Sequence, residues 1–140
     1  MASYNKFNCT VEDWAEKVHN LQSDTLKIML TNTAPLATNA VKADITELAA
    51  GNGYVAGGTA VTITSSAQAA GLYKLVGNDV LVVTASGGTV GPFRYAVLYN
   101  STPAAGNLIG WWDYGSALTL NGGETFTVDL DQVGGILTIQ

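Results

Sequence analysis

The sequence predicts an all-β fold: one antiparallel β-sandwich, jelly-roll-like, with a short α-helix near the N-terminus. Three observations predict it. About nine short apolar or alternating runs are separated by Gly, Asn and Asp turn signals at close spacing. Neither βαβ alternation nor a repeat of fixed period interrupts them. The chain is 140 residues long, the size of one ordinary domain, and no linker-like stretch divides it. The expected organisation is a single domain over 1–140, with an N-terminal arm and helix over 1–22 and a long excursion loop over 31–58.

The helix comes first. Thr10 can cap it, with Asp13 three residues on as a weak capping box. Val11, Trp14, Val18 and Leu21 then fall on one face, and Glu12, Asp13 and Glu16 enrich the first turns, where negative charge suits the helix dipole. The spacing predicts an end near Asn20, and a second short helical turn after Asp44, closed by Gly51.

The rest reads as strands. LKIML (26–30) is a short apolar run, and 59–64 alternates, with Val61 and Ile63 against Thr62 and Thr64. Residues 72–76 and 80–85 flank GND (77–79), which reads as a hairpin connection. Residues 93–99 place Phe93, Tyr95, Val97 and Tyr99 on one face. After 108–114, the runs 117–120 and 125–130 flank NGGE (121–124), the strongest turn signal in the chain, and 136–139 closes the sequence.

Composition excludes several functions. Six Lys and Arg and eleven Asp and Glu make 12% charged residues and a net charge of −5, against about 25% charged in ordinary domains. Nucleic-acid binding needs clustered cations, which this chain lacks. No stretch is long and apolar enough to span a membrane. The N-terminal residues have neither the basic nor the apolar region of a secretory signal, so folding in a cytoplasm is expected. The one cysteine, Cys9, allows no internal disulfide and reads as a small buried residue.

Candidate chemistry is sparse. His19, the single histidine, reads as structural or solvent-exposed, and no G-x-S-x-G elbow accompanies the serines. No enzyme is expected. Asp129 and Asp131 could hold a calcium ion with loop carbonyls or be exposed strand-end residues, and no metal or cofactor is expected. GNGYVAGG (51–58) and ASGGTVG (85–91) lack the strand–loop–helix context and Lys of a phosphate cradle, so they read as turns.

LIGWWDYG (108–115) is the most informative stretch. Neighbouring strand residues point to opposite faces, so Trp111 and Trp112 need two covers. Trp111, Trp112, Tyr114, Tyr95 and Tyr99 are therefore candidates for core or for a subunit interface, since an uncovered apolar face signals a partner. The covers available are the helix, another subunit or a foreign surface, and the sequence favours a subunit interface. Trp112 and Tyr114, near Asn107 or Asp113, could also stack on sugar rings. If Asp113 is buried beside Trp111, it should have a hydrogen-bond partner.

With these segments together, the chain resembles a family of small virion structural proteins of tailed bacteriophages. KVHNLQSDTLKIMLTNTAP (17–35), ADITELAAGNGYVAGG (43–58), FRYAVLYNSTP (93–103), LIGWWDYG (108–115) and GETFTVDLD (123–131) carry the resemblance. It implies a jelly-roll capsid cement (decoration) protein: a homotrimer, assembled in the host cytoplasm into the virion, that clamps the major capsid protein from outside. Tyr4, Phe7 and Tyr54 are the candidate capsid contacts. The alternative is a tail-fibre or receptor-binding module that recognises host glycans.

Overall fold

The computed structural model describes residues 2–140, so Met1, the first residue of the expected arm, lies outside the described residues. The chain forms a mostly β, sandwich-like structure of antiparallel sheets with one short helix. In order come β1 (Ser3–Lys6), α1 (Cys9–Ala15), β2 (Leu26–Thr31), a 3-10 turn (Lys42–Asp44), β3 (Thr59–Ala60), β4 (Ile63–Ala69), β5 (Leu72–Gly77), β6 (Val80–Thr84), β7 (Val90–Asn100), β8 (Leu108–Leu120), β9 (Thr125–Val128) and β10 (Leu137–Ile139). They build a five-stranded sheet β1-β8-β7-β2-β3, a three-stranded sheet β10-β5-β4 and a two-stranded sheet β6-β9.

The central strands of the large sheet show why the sequence pairs this way. β2 lies between β7 and β3 and is buried on both faces, which is why LKIML is apolar without a polar alternate. β7 and β8 run antiparallel, with Val97 opposite Trp111 and Ala96 opposite Trp112. One face carries Leu26, Ile28, Leu30, Ala96 and Leu98 into the main core, where Phe93 of β7 and Leu75, Val82 and Ile136 of the other layer join them. The opposite face carries Met29, Val97, Tyr99 and Leu108 into a second core closed by Phe7 and Ile45. Two faces and two cores come from one chain.

Turn chemistry sets several connections. Ala70 and Gly71 both have positive φ (51° and 84°) and join β4 to β5 as a two-residue hairpin. The GND stretch does not join a hairpin: β5 pairs with β4 and β10, whereas β6 pairs with β9. It carries the chain between sheets, held by Asn78 N–H to Thr62 O at 3.0 Å and by Leu130 N–H to the Asp79 carboxylate at 3.0 Å. NGGE is a true turn, with Glu124 N–H donating to Asn121 O at 3.0 Å, and it too crosses from one sheet to another.

The helix departs from the expected span and face. It ends at Ala15, and Asn8 stands at its N-cap position without a side-chain cap bond. Val11 is 52% exposed, while Thr10 and Asp13 are the buried positions. The reason is polar: the Thr10 hydroxyl donates to Ile109 O at 2.8 Å, so this face serves the backbone of β8 at its register shift. The short turn at 42–44 lies before Ile45 rather than after Asp44, with the Asp44 carboxylate accepting from Ala40 and Val41 N–H.

Candidate functional site

A groove of about 870 Å³ opens between β8, β1 and the segment 126–136. Its lining carries Tyr4, Trp112, Tyr114 and Phe126, together with Asp129 and Gln132. A smaller recess of about 340 Å³ adjoins it, lined by Lys6, Trp14 and Leu137, and Tyr4 and Asp131 line both. Aromatic contacts order this wall: Tyr4 and Trp112 lie 5.5 Å apart between ring centroids, and Tyr114 meets Phe126 edge-on at 5.7 Å. Gly110 makes room for the Tyr4 ring, because a Cβ there would strike it.

A bulge places Tyr114. Phe93 pairs with Leu118 and Tyr95 with Asp113, so residues 114–117 have only Arg94 opposite them. Bulges of this kind re-aim side chains. Here Asp113 closes the bulge by accepting from Gly115 N–H at 2.8 Å and from Arg94 through both oxygens, at 2.7 and 2.9 Å. The Arg94 guanidinium, then the Gly115 N–H, hold the Asp113 carboxyl below its ordinary range. Arg94 also lies 5.3 Å from the centroid of the Tyr95 ring. Asp113 is paired although its side chain is 33% exposed rather than buried, and Tyr114 is left 54% exposed beside the groove.

The two tryptophans do point to opposite faces, and each is half-buried against a different core of this chain. Trp111 lies against the second core, 4.5 Å from Phe7, and Trp112 packs against the main core. Tyr95 and Tyr99 are buried, and the Tyr99 hydroxyl donates to Gly57 O at 2.7 Å. On the Trp111 face, part of the expected cover comes from the arm, the helix and the 31–58 excursion, through Phe7, Cys9 and Ile45.

Two of the three candidate capsid contacts are spent inside the fold. Phe7 is 0% exposed and Tyr54 is 2% exposed. The Tyr54 hydroxyl accepts from Leu30 N–H at 3.0 Å and donates to Glu47 at 2.9 Å, pinning the excursion to β2. Tyr4 remains accessible at 37%. Asn107 is also taken, donating to Asp13 at 3.1 Å, and does not line the groove.

Among the described residues no cluster of three or more His, Cys, Asp or Glu could hold a metal ion, and no helix is long and apolar enough to cross a membrane. Asp131 instead caps its own turn, accepting from Val133 and Gly134 N–H at 2.9 and 2.6 Å.

His19 belongs to a polar cluster assembled from residues far apart in the chain. The Asn100 amide donates to Asp24 at 2.6 Å and to His19 Nδ1 at 3.1 Å, while its oxygen accepts from Thr102 N–H. That fixes the ring proton on Nε2, facing Asp13 at 3.6 Å. Burial pushes His19 below its ordinary value against the opposing pull of Asp13 and Asp24. A base depressed in the folded state binds protons better unfolded, so its contribution is full above about pH 6.5 and is lost as pH falls toward the folded pKa. We expect the urea midpoint to drop between about pH 7 and about pH 5.5, and the drop to shrink in His19→Gln. A midpoint that stays level over that range in the parent protein would refute this.

Comparisons with protein-family models, curated proteins and solved structures give no match for the chain. The functional reading rests on the fold, the groove and the composition.

Proposed function

We propose that the chain is a structural virion protein of a tailed bacteriophage, working as a cement protein on the outer face of an icosahedral capsid, with the major capsid protein as its partner. The observation that carries the reading is that the inner strands β2 and β7 of the five-stranded sheet are buried on both faces by residues of one chain. Such a body folds before it meets a partner, and so suits addition to a shell already assembled. Its sparse charge, 12% of residues, leaves a surface that can be covered at little desolvation cost. Binding only the assembled shell stabilises it by linkage, about 2.7 kcal/mol per site at a free concentration a hundredfold above Kd.

In this reading the antiparallel frame is a jelly roll whose second layer is split into the β10-β5-β4 and β6-β9 sheets. A homotrimer then forms through apolar side chains left on the surface, such as Leu36 and Leu81, rather than through Trp111. Quantitative gels and immunogold labelling of purified particles test the assignment. Many copies over the head are expected, and shells stripped of the protein should rupture at lower temperature and recover when it is added back. A few copies confined to the tail would overturn it.

The groove favours a second reading, a tail-fibre or receptor-binding module for host glycans. Trp112 and Tyr114 line it together with Asp129 and Gln132.

A further inference from the structure

We propose that the groove between β8, β1 and residues 126–136 binds a neutral oligosaccharide, an inference that rests on the second reading above and names its ligand class. The volume of about 870 Å³ lies within the range of ligand clefts, about 300–1,000 Å³. Four observations select the ligand chemistry.

The walls are aromatic where they are apolar. Tyr4, Trp112, Tyr114 and Phe126 offer ring faces and edges, which suit the C–H faces of pyranose rings better than flexible acyl chains. Hydrogen-bond acceptors line the same groove. Neither Asp129 nor the second oxygen of Asp131 has a hydrogen-bond partner among the described residues, and a carboxylate accepts from paired hydroxyls. A purely apolar ligand would leave those acceptors unpaired at a cost.

Charge then removes anions. The net charge is −5, two aspartates line the walls, and the cation of the main groove, Arg94, is engaged by Asp113 through two bonds. Acidic or sulfated glycans and phosphates are repelled. Length follows from the second recess. Trp14 lies in it and Tyr4 lines both, so the surface continues past one ring and fits a chain of several sugars.

Isothermal titration of the isolated protein with maltohexaose, cellohexaose and chitohexaose tests the proposal, with a heparin hexasaccharide as the charged comparison. At least one neutral hexasaccharide should bind with a Kd below about 1 mM. Tyr114→Ala, at an exposed bulge position, should weaken that binding about tenfold or more, and Asp129→Asn should weaken it severalfold. Trp111→Phe, on the other face of the sheet, should leave it unchanged. The proposal is overturned if no neutral hexasaccharide binds, if heparin binds in preference, or if Tyr114→Ala and Asp129→Asn both bind as the parent does. Particle position separates this from the reading it rests on. Sugar binding by a protein found only on the head would keep the site and remove the tail-fibre role, whereas a tail location without sugar binding would do the reverse.

Discussion

Phe7→Ala should lower folding stability by about 3–5 kcal/mol, a large share of the about 5–15 kcal/mol that holds a domain together. Phe7 is fully buried, stacks 4.5 Å from Trp111 and shares the second core with Met29, Ile45, Val97, Tyr99 and Leu108. Its N–H donates to Ile109 O at 3.1 Å, which continues the pairing of β1 with β8. The side chain therefore does two things at once: it fills a core and it fastens the arm. β1 itself is otherwise held by its pairing with β8 and by the Tyr4–Trp112 contact, since Ser3 and Lys6 are exposed. Truncation leaves a cavity that the rigid β7–β8 pair cannot collapse into, and lets residues 2–6 peel from the sheet edge.

Urea denaturation of the variant against the parent measures the loss, and proteolysis of the arm reports the peeling. Val133→Ala, at a position 84% exposed, is the comparison and should stay within about 0.5 kcal/mol. A loss below about 1 kcal/mol in Phe7→Ala would mean that the arm is not anchored in this way.

Phe7 also marks the limit of what could be read from the sequence. Strand parity separates Trp111 from Trp112, and that separation holds because period-two geometry is local. The identity of the cover is not local. The pairing of Ser3–Lys6 with β8 spans most of the chain, and SYNK has no apolar alternation to announce an edge strand. A subunit was expected over the sheet because the helix alone could cover only part of it. The arm and the excursion supply part of that cover, through Phe7, Cys9 and Ile45.

The same distinction separates the turns. NGGE and GNGY are written in residues that favour positive φ, and both turns form. Whether a turn closes a hairpin depends on which distant strand its flanks pair with, and GND shows that composition does not say. Thr10 and Asp13 failed for another reason. Hydrophobic periodicity assumes that buried means apolar, whereas here a hydroxyl is buried to satisfy backbone carbonyls of β8. The groove was legible only in part: Trp112 and Tyr114 were candidates by type, but their meeting with Asp129 and Gln132 depends on the bulge opposite Arg94.

Gly58→Ala is expected to be the most damaging single methyl group that can be added to this chain, at about 2–5 kcal/mol. Gly58 has φ +72, and a Cβ there would run into the carbonyl of Ile28 and the Cα of Met29. The left-handed backbone alone costs about 1–2 kcal/mol with a side chain. The collision adds to it, because the obstacle is backbone of the central strand β2 and cannot rotate away. What gives instead is β3, whose Thr59 pairs with Ile28, and with it the end of the excursion.

Gly123→Ala separates the two contributions, since Gly123 has φ +93 but open space around its Cβ position. Urea midpoints should rank parent, Gly123→Ala and Gly58→Ala in falling order. Equal losses in the two variants would refute the close approach of Gly58 to β2. The consequence reaches function, because Tyr54 and Gly57 are tied to β2 and β7 through Leu30 and Tyr99. If this loop touches a capsid, its contact is Val55, 68% exposed, on a loop held rigid by the glycine beneath it. Gly58→Ala should then weaken shell binding at temperatures where the protein is still folded, whereas Gly123→Ala, in a turn on another connection, should not.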